Sequence, residues 1–508
     1  MIQIICCAET YIYNTYHMTK AFYPSEEVVS QIEEKASNYV TVKFKDKSIQ
    51  VSSDEMISVT DDEIRKYFDN NSFRGKENTE PKDLKYFIDV TLYHLFKERT
   101  GRELAWGILM GVRPTKIAMQ KLSEGMGEAE FIKWYRKEFL VSEEKAELAV
   151  RIAKREKALI DQLDLLDGYS LYVGIPFCPT VCSYCSFSSG ALSDWKHRVE
   201  EYVDALCKEL KFIAEASKQK KLNTIYIGGG TPTTLSEGQL ERLLSCIDEH
   251  FSKEYLLEYT VEAGRPDSIT EEKLKVIKNH GVTRISINPQ TMQQKTLDLI
   301  GRKHTVEEIK DVYEMARSLS FDNINMDLIA GLPGETVEDM EDTLMQIETL
   351  APDNLTVHSL AIKRAAKMGQ KHSKEYEEAL AQRKDTGDEA SPIGAMINAA
   401  YEAAERMNLF PYYLYRQKNI AGNFENVGYA KVDKAGIYNI LIMEEKQSIV
   451  AAGAGASTKI VLKEEILVPG SKNNKKTHLM RIENVKAIDA YIDRIDEMIE
   501  RKGEWLWH

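Results

Sequence analysis

Six short β-rich runs, separated by longer helix-period stretches, occupy the middle of the chain, and no other feature restricts its fold so tightly. The runs are Leu171 to Ile175, Thr224 to Ile227, Glu258 to Glu262, Arg284 to Ile287, Ile324 to Ile329 and Asn354 to Leu360. Between them, apolar residues recur at helical spacing, as in Val199, Tyr202, Val203, Leu206, Leu210 and Ile213. A second stretch, Leu240, Leu243, Leu244 and Ile247, stands behind the capping box Ser236-Glu237-Gly238-Gln239. Strands that alternate with helices pair in parallel, because the crossover helix returns the chain to the same end of the sheet. Six such units in about 190 residues predict an incomplete parallel (β/α)6 barrel, with an open doubly wound sheet as the competing arrangement. Either places chemistry at the C-terminal ends of the strands.

The flanks read differently. Strand candidates near Val40 to Val51 and helical patterns at Leu84 to Leu95 and Glu143 to Leu166 suggest an N-terminal α/β domain over 1–165. The barrel is expected over 166–365. A mainly helical C-terminal region follows over 366–508, in line with about three domains for 508 residues. It holds a charged stretch from Lys371 to Ser391, a helix from Ile393 to Met407, a hairpin candidate from Tyr438 to Val450, and a closing amphipathic helix from Val485 to Arg501.

Charge and apolar run lengths exclude some functions. Eighty acidic against 67 basic residues leave a net charge of −13, whereas a nucleic-acid groove needs surplus Lys and Arg. A local basic pocket for an acidic small molecule stays compatible with that balance. The longest small and apolar run, Ile449 to Ala456, falls far short of the roughly 20 residues that span a bilayer. Met1-Ile2-Gln3 lacks the positive start of a signal peptide. Seven cysteines, three of them within eight residues, fit a reduced compartment with one metal site rather than a disulfide scaffold. The expected location is cytoplasmic.

Directly after the first strand stands Ile175-Pro-Phe-Cys178-Pro-Thr-Val-Cys182-Ser-Tyr-Cys185-Ser-Phe187. Thiolates spaced C-x3-C-x2-C on a strand-to-helix loop suit one polynuclear iron–sulfur centre, and a cubane normally takes four ligands. With no candidate fourth nearby, one iron is left open to a substrate-like ligand. The other reading is a three-cysteine zinc site completed by histidine, for which His197 lies outside the usual short spacing.

The C-x3-C-x-Φ-C pattern ending a first barrel strand resembles the signature of the radical S-adenosylmethionine (SAM) superfamily. The longer string Tyr172-Val-Gly174-Ile-Pro-Phe-Cys178 resembles the oxygen-independent coproporphyrinogen III oxidase family, especially its HemZ-type branch. The resemblance runs from about residue 170 to 365 and is weaker beyond. It implies a radical-SAM barrel with a 4Fe–4S cluster on Cys178, Cys182 and Cys185, and SAM on the open iron. It also implies that the cluster's electron, drawn from a donor such as flavodoxin or ferredoxin, releases a deoxyadenosyl radical.

Further matches follow in order. Gly228-Gly229-Gly230-Thr231-Pro232-Thr233 closes the second strand, where bare backbone can approach a ligand and offer N–H groups; a plain turn is the alternative. It lacks the G-x-G-x-x-G order of a dinucleotide site. By resemblance, Tyr172 joins the cysteines as the catalytic set, and Tyr172, Gly229, Gly230 and Thr231 touch SAM. Glu262, Gln290, Arg302 and Asp327 would then hold its ribose, carboxylate and amino groups, with backbone at Ala361 against adenine. Acids and amides suit hydroxyls, and Arg suits a carboxylate. Many family members carry histidine two residues after the tyrosine, where this chain has Gly174. Asn423-Phe424-Glu425 and the Gly453 to Ser457 turn resemble elements that cover the substrate side.

Other residues read as structure. Cys207 and Cys246 sit on apolar helix stripes, and Cys6 and Cys7 point to opposite strand faces. The acidic runs around Glu33 and Asp61 read as solvated surface. Met110 to Lys116 reads as a helix-start turn or a carboxylate contact, and Tyr412, Tyr413, Tyr415 and Arg416 as core packing or a propionate contact. The resemblance implies oxidative decarboxylation of coproporphyrinogen III to protoporphyrinogen IX. A haem chaperone and anaerobic haem ring opening are the alternatives; a tRNA-modifying enzyme is disfavoured by the acidic charge.

Overall fold

The computed structural model describes residues 1–24, 26–33, 39–43, 48–52, 81–111, 113–187, 189–361, 366–369, 391–416, 424–467 and 476–507. The charged stretch over 371–390, the acidic run around Asp61, and Asn423 lie outside the described residues.

All six expected strands form: β5 (Gly168–Ile175), β8 (Lys221–Gly229), β9 (Glu258–Gly264), β10 (Arg284–Ile287), β11 (Ile324–Ala330) and β12 (Asn354–Ser359). They pair in parallel in that order, and the sheet does not close on itself. A two-stranded pair, β6 (Phe177–Cys178) and β7 (Gly190–Ala191), brackets the cysteine loop. At the N-terminus, β1 (Ile2–Cys6), β2 (Val28–Ile32), β3 (Tyr39–Lys43) and β4 (Ser48–Ser52) make a separate sheet in the order β2-β1-β3-β4.

Side-chain alternation explains how this sheet curls around a site. One face carries Leu171, Val173, Ile175, Ile225, Ile227, Val261, Ile285, Ile287, Met326, Leu328 and Leu355, all buried in one apolar cluster. Leu206, Leu210, Leu243, Ile247, Leu274, Ile309 and Leu344 of the surrounding helices complete that cluster. The other face is polar, with Tyr172, Tyr226, Glu262, Arg284, Ser286, Asp327 and Thr356 turned to the hollow of the barrel. Parallel strands buried on both faces usually read as unbroken apolar runs. A polar inner face, costly to bury without partners, marks a barrel built around a ligand.

The same cluster takes in Trp106, Phe131, Tyr135, Leu148 and Ile152, from the segment that leads into the barrel. A second cluster, including Ile4, Tyr11, Phe22, Leu92 and Phe96, underlies the N-terminal sheet. No helix among the described residues is long and apolar enough to cross a membrane.

The C-terminal region departs from its mainly helical expectation, because it also supplies five strands. These are β13 (Phe410–Tyr415), β14 (Asn426–Ala430), β15 (Ser448–Ala452), β16 (Ser457–Leu467) and β17 (Lys476–Glu483). They extend the barrel sheet at both ends, giving β13-β14-β12-β11-β10-β9-β8-β5-β15-β16-β17. Few residues of β16 and β17 are buried, so their apolar alternation is faint. The stretch expected as a hairpin, Tyr438 to Val450, is instead a helix, Ile437–Glu444, followed by β15, which runs parallel to β5. A short Ile/Leu run has no distinctive period. A tertiary contact decides the matter, with Ile437 N–H donating to the buried Glu258 Oε2 at 2.5 Å. The closing helix is also interrupted, into Ile488–Asp493 and Ile495–Gly503 around Arg494.

Candidate active site

The turn after β8 hugs the end of β5, and glycine is what permits it. Gly229 has φ +107°, and a Cβ on Gly230 would stand 2.5 Å from the Phe177 carbonyl oxygen. The expected free N–H groups are absent here. Gly230 N–H donates to Ile175 O and Thr231 N–H to Phe177 O, each at 2.7 Å, while Gly229 N–H serves Glu262. The turn therefore holds the cysteine loop in place and presents side chains rather than amides.

That loop is pinned from several sides by the protein's own hydrogen bonds. Arg265 donates to Thr180 O at 3.0 Å and pairs with Asp267 at 2.6 Å. Ser183 N–H donates to Ile300 O at 3.1 Å, and Met368 N–H to Ser183 O at 2.8 Å. The Cys178 sulfur lies 3.7 Å from Thr231 Oγ1, and the Cys182 sulfur 3.8 Å from Arg265 Nη1. Burial pushes the Cys178 and Cys185 thiols up from their ordinary values. Arg302 sits behind the loop, donating to Asn288 O at 2.5 Å and to Tyr184 Oη at 3.2 Å.

All twelve residues singled out from the sequence line one cavity of about 660 Å³: the three cysteines, Tyr172, Gly229, Gly230, Thr231, Glu262, Gln290, Arg302, Asp327 and Ala361. Gln290 is held at φ +70°, a backbone conformation that non-glycine residues adopt mainly where the surroundings enforce it. Its N–H donates to Asp327 O, and its own carbonyl accepts from Ile329 N–H, both at 2.9 Å. Burial raises Glu262 to about 7, against the opposing pull of a hydrogen bond from Tyr226. Asp327 is equally enclosed, but His358 and the Asn325 amide, 2.7 Å away, hold it below its ordinary value.

The cysteine loop suits a polynuclear centre. Among the described residues no three His, Cys, Asp or Glu side chains converge as ligands of a single ion. A cubane does not ask for that convergence, since each thiolate takes a different iron. Arg265 and Thr231 already aim donors at two of the sulfurs, the Ser189 hydroxyl adjoins Cys178, and the buried Arg302 Nε has no hydrogen-bond partner among the described residues. Three thiols, donors to sulfur and an adjoining cavity fit a cluster bearing an exchangeable ligand.

Sequence reasoning passed over several lining residues. Tyr226 and Tyr438 stack with centroids 4.3 Å apart, and each lies 6.3 Å from Tyr172. Arg284, Ser286, Asn325 and His358 also face inward. Their signal was present as alternation within the strands, in Arg-Ile-Ser-Ile and Ile-Asn-Met-Asp. Of the aromatic knot, Tyr413 and Tyr415 reach the cavity, while the buried Arg416 donates to Leu109 O at 2.5 Å. Arg113 pairs with Glu445 at 2.8 Å, so the Met110 to Lys116 turn holds a carboxylate of the chain itself.

A family model described as the radical SAM superfamily matches residues 172–347. The oxygen-independent coproporphyrinogen-III oxidase-like protein HemZ of Bacillus subtilis (strain 168) is 40% identical over 429 residues, 84% of this chain and 81% of that protein. This chain belongs to the HemZ-like radical SAM family. Its cofactors are accordingly a 4Fe–4S cluster and SAM. The heme chaperone HemW of the same bacterium is 39% identical over 194 residues, 38% of this chain and half of that protein. Coproporphyrinogen III oxidase (HemN) from Escherichia coli, described as a radical SAM enzyme, aligns in structure at a TM-score of 0.48 and 21% identity, over 68% of this chain and 72% of that one.

Proposed function

We propose that the chain catalyses the oxygen-independent oxidative decarboxylation of coproporphyrinogen III to protoporphyrinogen IX. The observation that carries the reading is the single cavity, which joins the cysteine loop, the polar strand tops and tyrosines of the C-terminal region. Cys178, Cys182 and Cys185 hold the cluster; Tyr172, Glu262, Gln290, Arg302 and Asp327 position SAM, with Ala361 beside its adenine. Once bound, cluster and SAM supply a carbon radical able to take a hydrogen atom from an unactivated carbon. The protein's own work is orientation and exclusion of water. Arg302 and Asp327 offer opposite charges to an amino-acid moiety. The tyrosine faces offer a flat apolar wall to a macrocycle. Each converted propionate would give one hydrogen atom to that carbon radical, one electron to an external one-electron acceptor, and carbon dioxide, leaving a vinyl group. A one-electron donor of the flavodoxin or ferredoxin kind would charge the cluster, and residues 366–508 would cover the substrate.

The stretch shared with heme chaperone HemW supports a second reading, in which haem is carried without turnover. Anaerobic reconstitution with iron, sulfide, SAM and coproporphyrinogen III, followed by mass spectrometry, separates the two. Decarboxylation predicts protoporphyrinogen with at least two equivalents of 5′-deoxyadenosine per product. Stoichiometric haem binding with no vinyl product would replace it with the chaperone reading, and opened or methylated macrocycle would point to ring cleavage.

A further inference from the structure

At the floor of the cavity, Arg284 is a buried cation that makes no hydrogen bond among the described residues. It opens β10, is 2% exposed, and points inward beside Ser286. Among the described residues no acceptor bonds its guanidinium, and Nε is enclosed. Glu258, whose charge acts on it, does not bond it. Glu258 is occupied by Ile437 N–H at 2.5 Å and Thr260 Oγ1 at 3.0 Å. Glu258, Glu262 and Asp327 act on its charge without an ion pair or hydrogen bond to it among the described residues. A guanidinium presents five donors in a rigid fork that matches a carboxylate. Burying such a fork with its hydrogen bonds unmade is costly, and a ligand carboxylate removes that cost.

The surroundings narrow the ligand. Glu262 and Asp327 line the same cavity and Glu258 acts on Arg284 from beside it, so a phosphate dianion meets about twice the repulsion that a single carboxylate does. Tyr226, Tyr413 and Tyr438 line the space above it, so the body carrying that carboxylate is flat and largely apolar. The depth sets the length. Asn288, whose carbonyl takes Arg302 beside the cysteine loop, stands four residues further along the chain from Arg284, about 13 Å at about 3.3 Å per residue. A ligand reacting near the loop and anchored on the floor must span that distance.

We propose that Arg284 anchors a non-reacting propionate carboxylate of the tetrapyrrole substrate, setting which propionate faces the cysteine loop. This rests on the tetrapyrrole reading above. The test is equilibrium binding to the full chain of coproporphyrin III, the air-stable oxidised form, and of its tetramethyl ester, followed by fluorescence. The parent should bind the free acid at least tenfold tighter than the ester. Arg284→Gln should lose at least tenfold for the acid and nothing for the ester, and Arg284→Lys should recover part of the loss. Equal binding of the acid by parent and Arg284→Gln would overturn the anchor while leaving the tetrapyrrole reading intact. If Arg284→Gln does not fold, equal affinity of the parent for acid and ester overturns it instead. A parent that binds neither coproporphyrin III nor haem removes the tetrapyrrole reading, and the anchor with it.

Discussion

At the scale of single residues, the cysteines divide cleanly. Cys178, Cys182 and Cys185 face the cavity, whereas Cys207 and Cys246 are packed between two helices, with Cys246 Sγ 3.8 Å from Cys207 O. Alanine at any of the first three should abolish the brown absorbance of the reconstituted cluster, because too few anchors remain. Alanine at Cys207 or Cys246 should leave it intact, and stoichiometric iron in Cys182→Ala would refute the ligand set. Glu262 makes a different prediction. Its carboxyl is raised by burial from 4.5 to about 7, so the folded state binds the proton more tightly than the unfolded chain. Stability from this group is complete below the unfolded value and is lost as pH rises through about 7. Glu262→Gln removes that loss and still accepts from Tyr226. Its melting temperature should exceed the parent's clearly at pH 8 and little at pH 4, with a difference on the order of 2–3 kcal/mol.

Within an element, the same amino acid gives opposite outcomes at two places. In the turn after β8, a Cβ on Gly230 meets two backbone carbonyls, at 2.5 and 2.9 Å, and neither can rotate away. Gly230→Ala should therefore cost about 1–3 kcal/mol and displace the cysteine loop, seen as a lower melting point and weaker cluster retention. Gly238, near the start of the helix Glu237–His250, has nothing within 4 Å of such a Cβ. Gly238→Ala should stabilise by about 0.5–1 kcal/mol, since alanine is the better helix former. The capping box ahead of it is the one expected from sequence, with Ser236 and Gln239 bonded reciprocally. The misread helix at Ile437–Glu444 shows the opposite case, where a local run was silent and Glu258 decided.

For the whole molecule, two buried acids tie the outer regions to the barrel. Glu425 accepts from Lys145 Nζ and Trp106 Nε1, both at 2.7 Å, linking the N-terminal region to the strands beside β12. Glu209, on the first barrel helix, accepts from Lys502 at 2.5 Å, Tyr491 at 2.6 Å and Asn484 at 2.8 Å, all from the last 25 residues. Glu209 and Lys502 are both fully enclosed, so removing one charge strands the other. Lys502→Met should cost about 3–5 kcal/mol in urea unfolding. Glu209→Gln combined with Lys502→Met should recover part of that, because the pair acts as a unit.

The six strands, their parallel order and the three-cysteine loop are properties of the sequence alone. Strand and helix periods, together with a fixed thiol spacing, are local patterns, and parallel crossovers follow from their order. The candidate site was legible to the same depth, with twelve residues named and all twelve at one cavity. What tertiary structure alone decided is the state of those groups and the identity of their neighbours. The amides of Gly230 and Thr231 are consumed by β5 and its continuation, Tyr438 arrives from more than 200 residues beyond the strands it stacks on, and β15 pairs directly with β5 although the other barrel strands lie between them in the chain. Arg284 reads in sequence as an ordinary strand residue. It becomes a buried cation with no hydrogen bond among the described residues only when the curl of the sheet closes the inner face around it and assigns Glu258 elsewhere, because burial and hydrogen-bond satisfaction belong to the assembled core and not to any window of the chain.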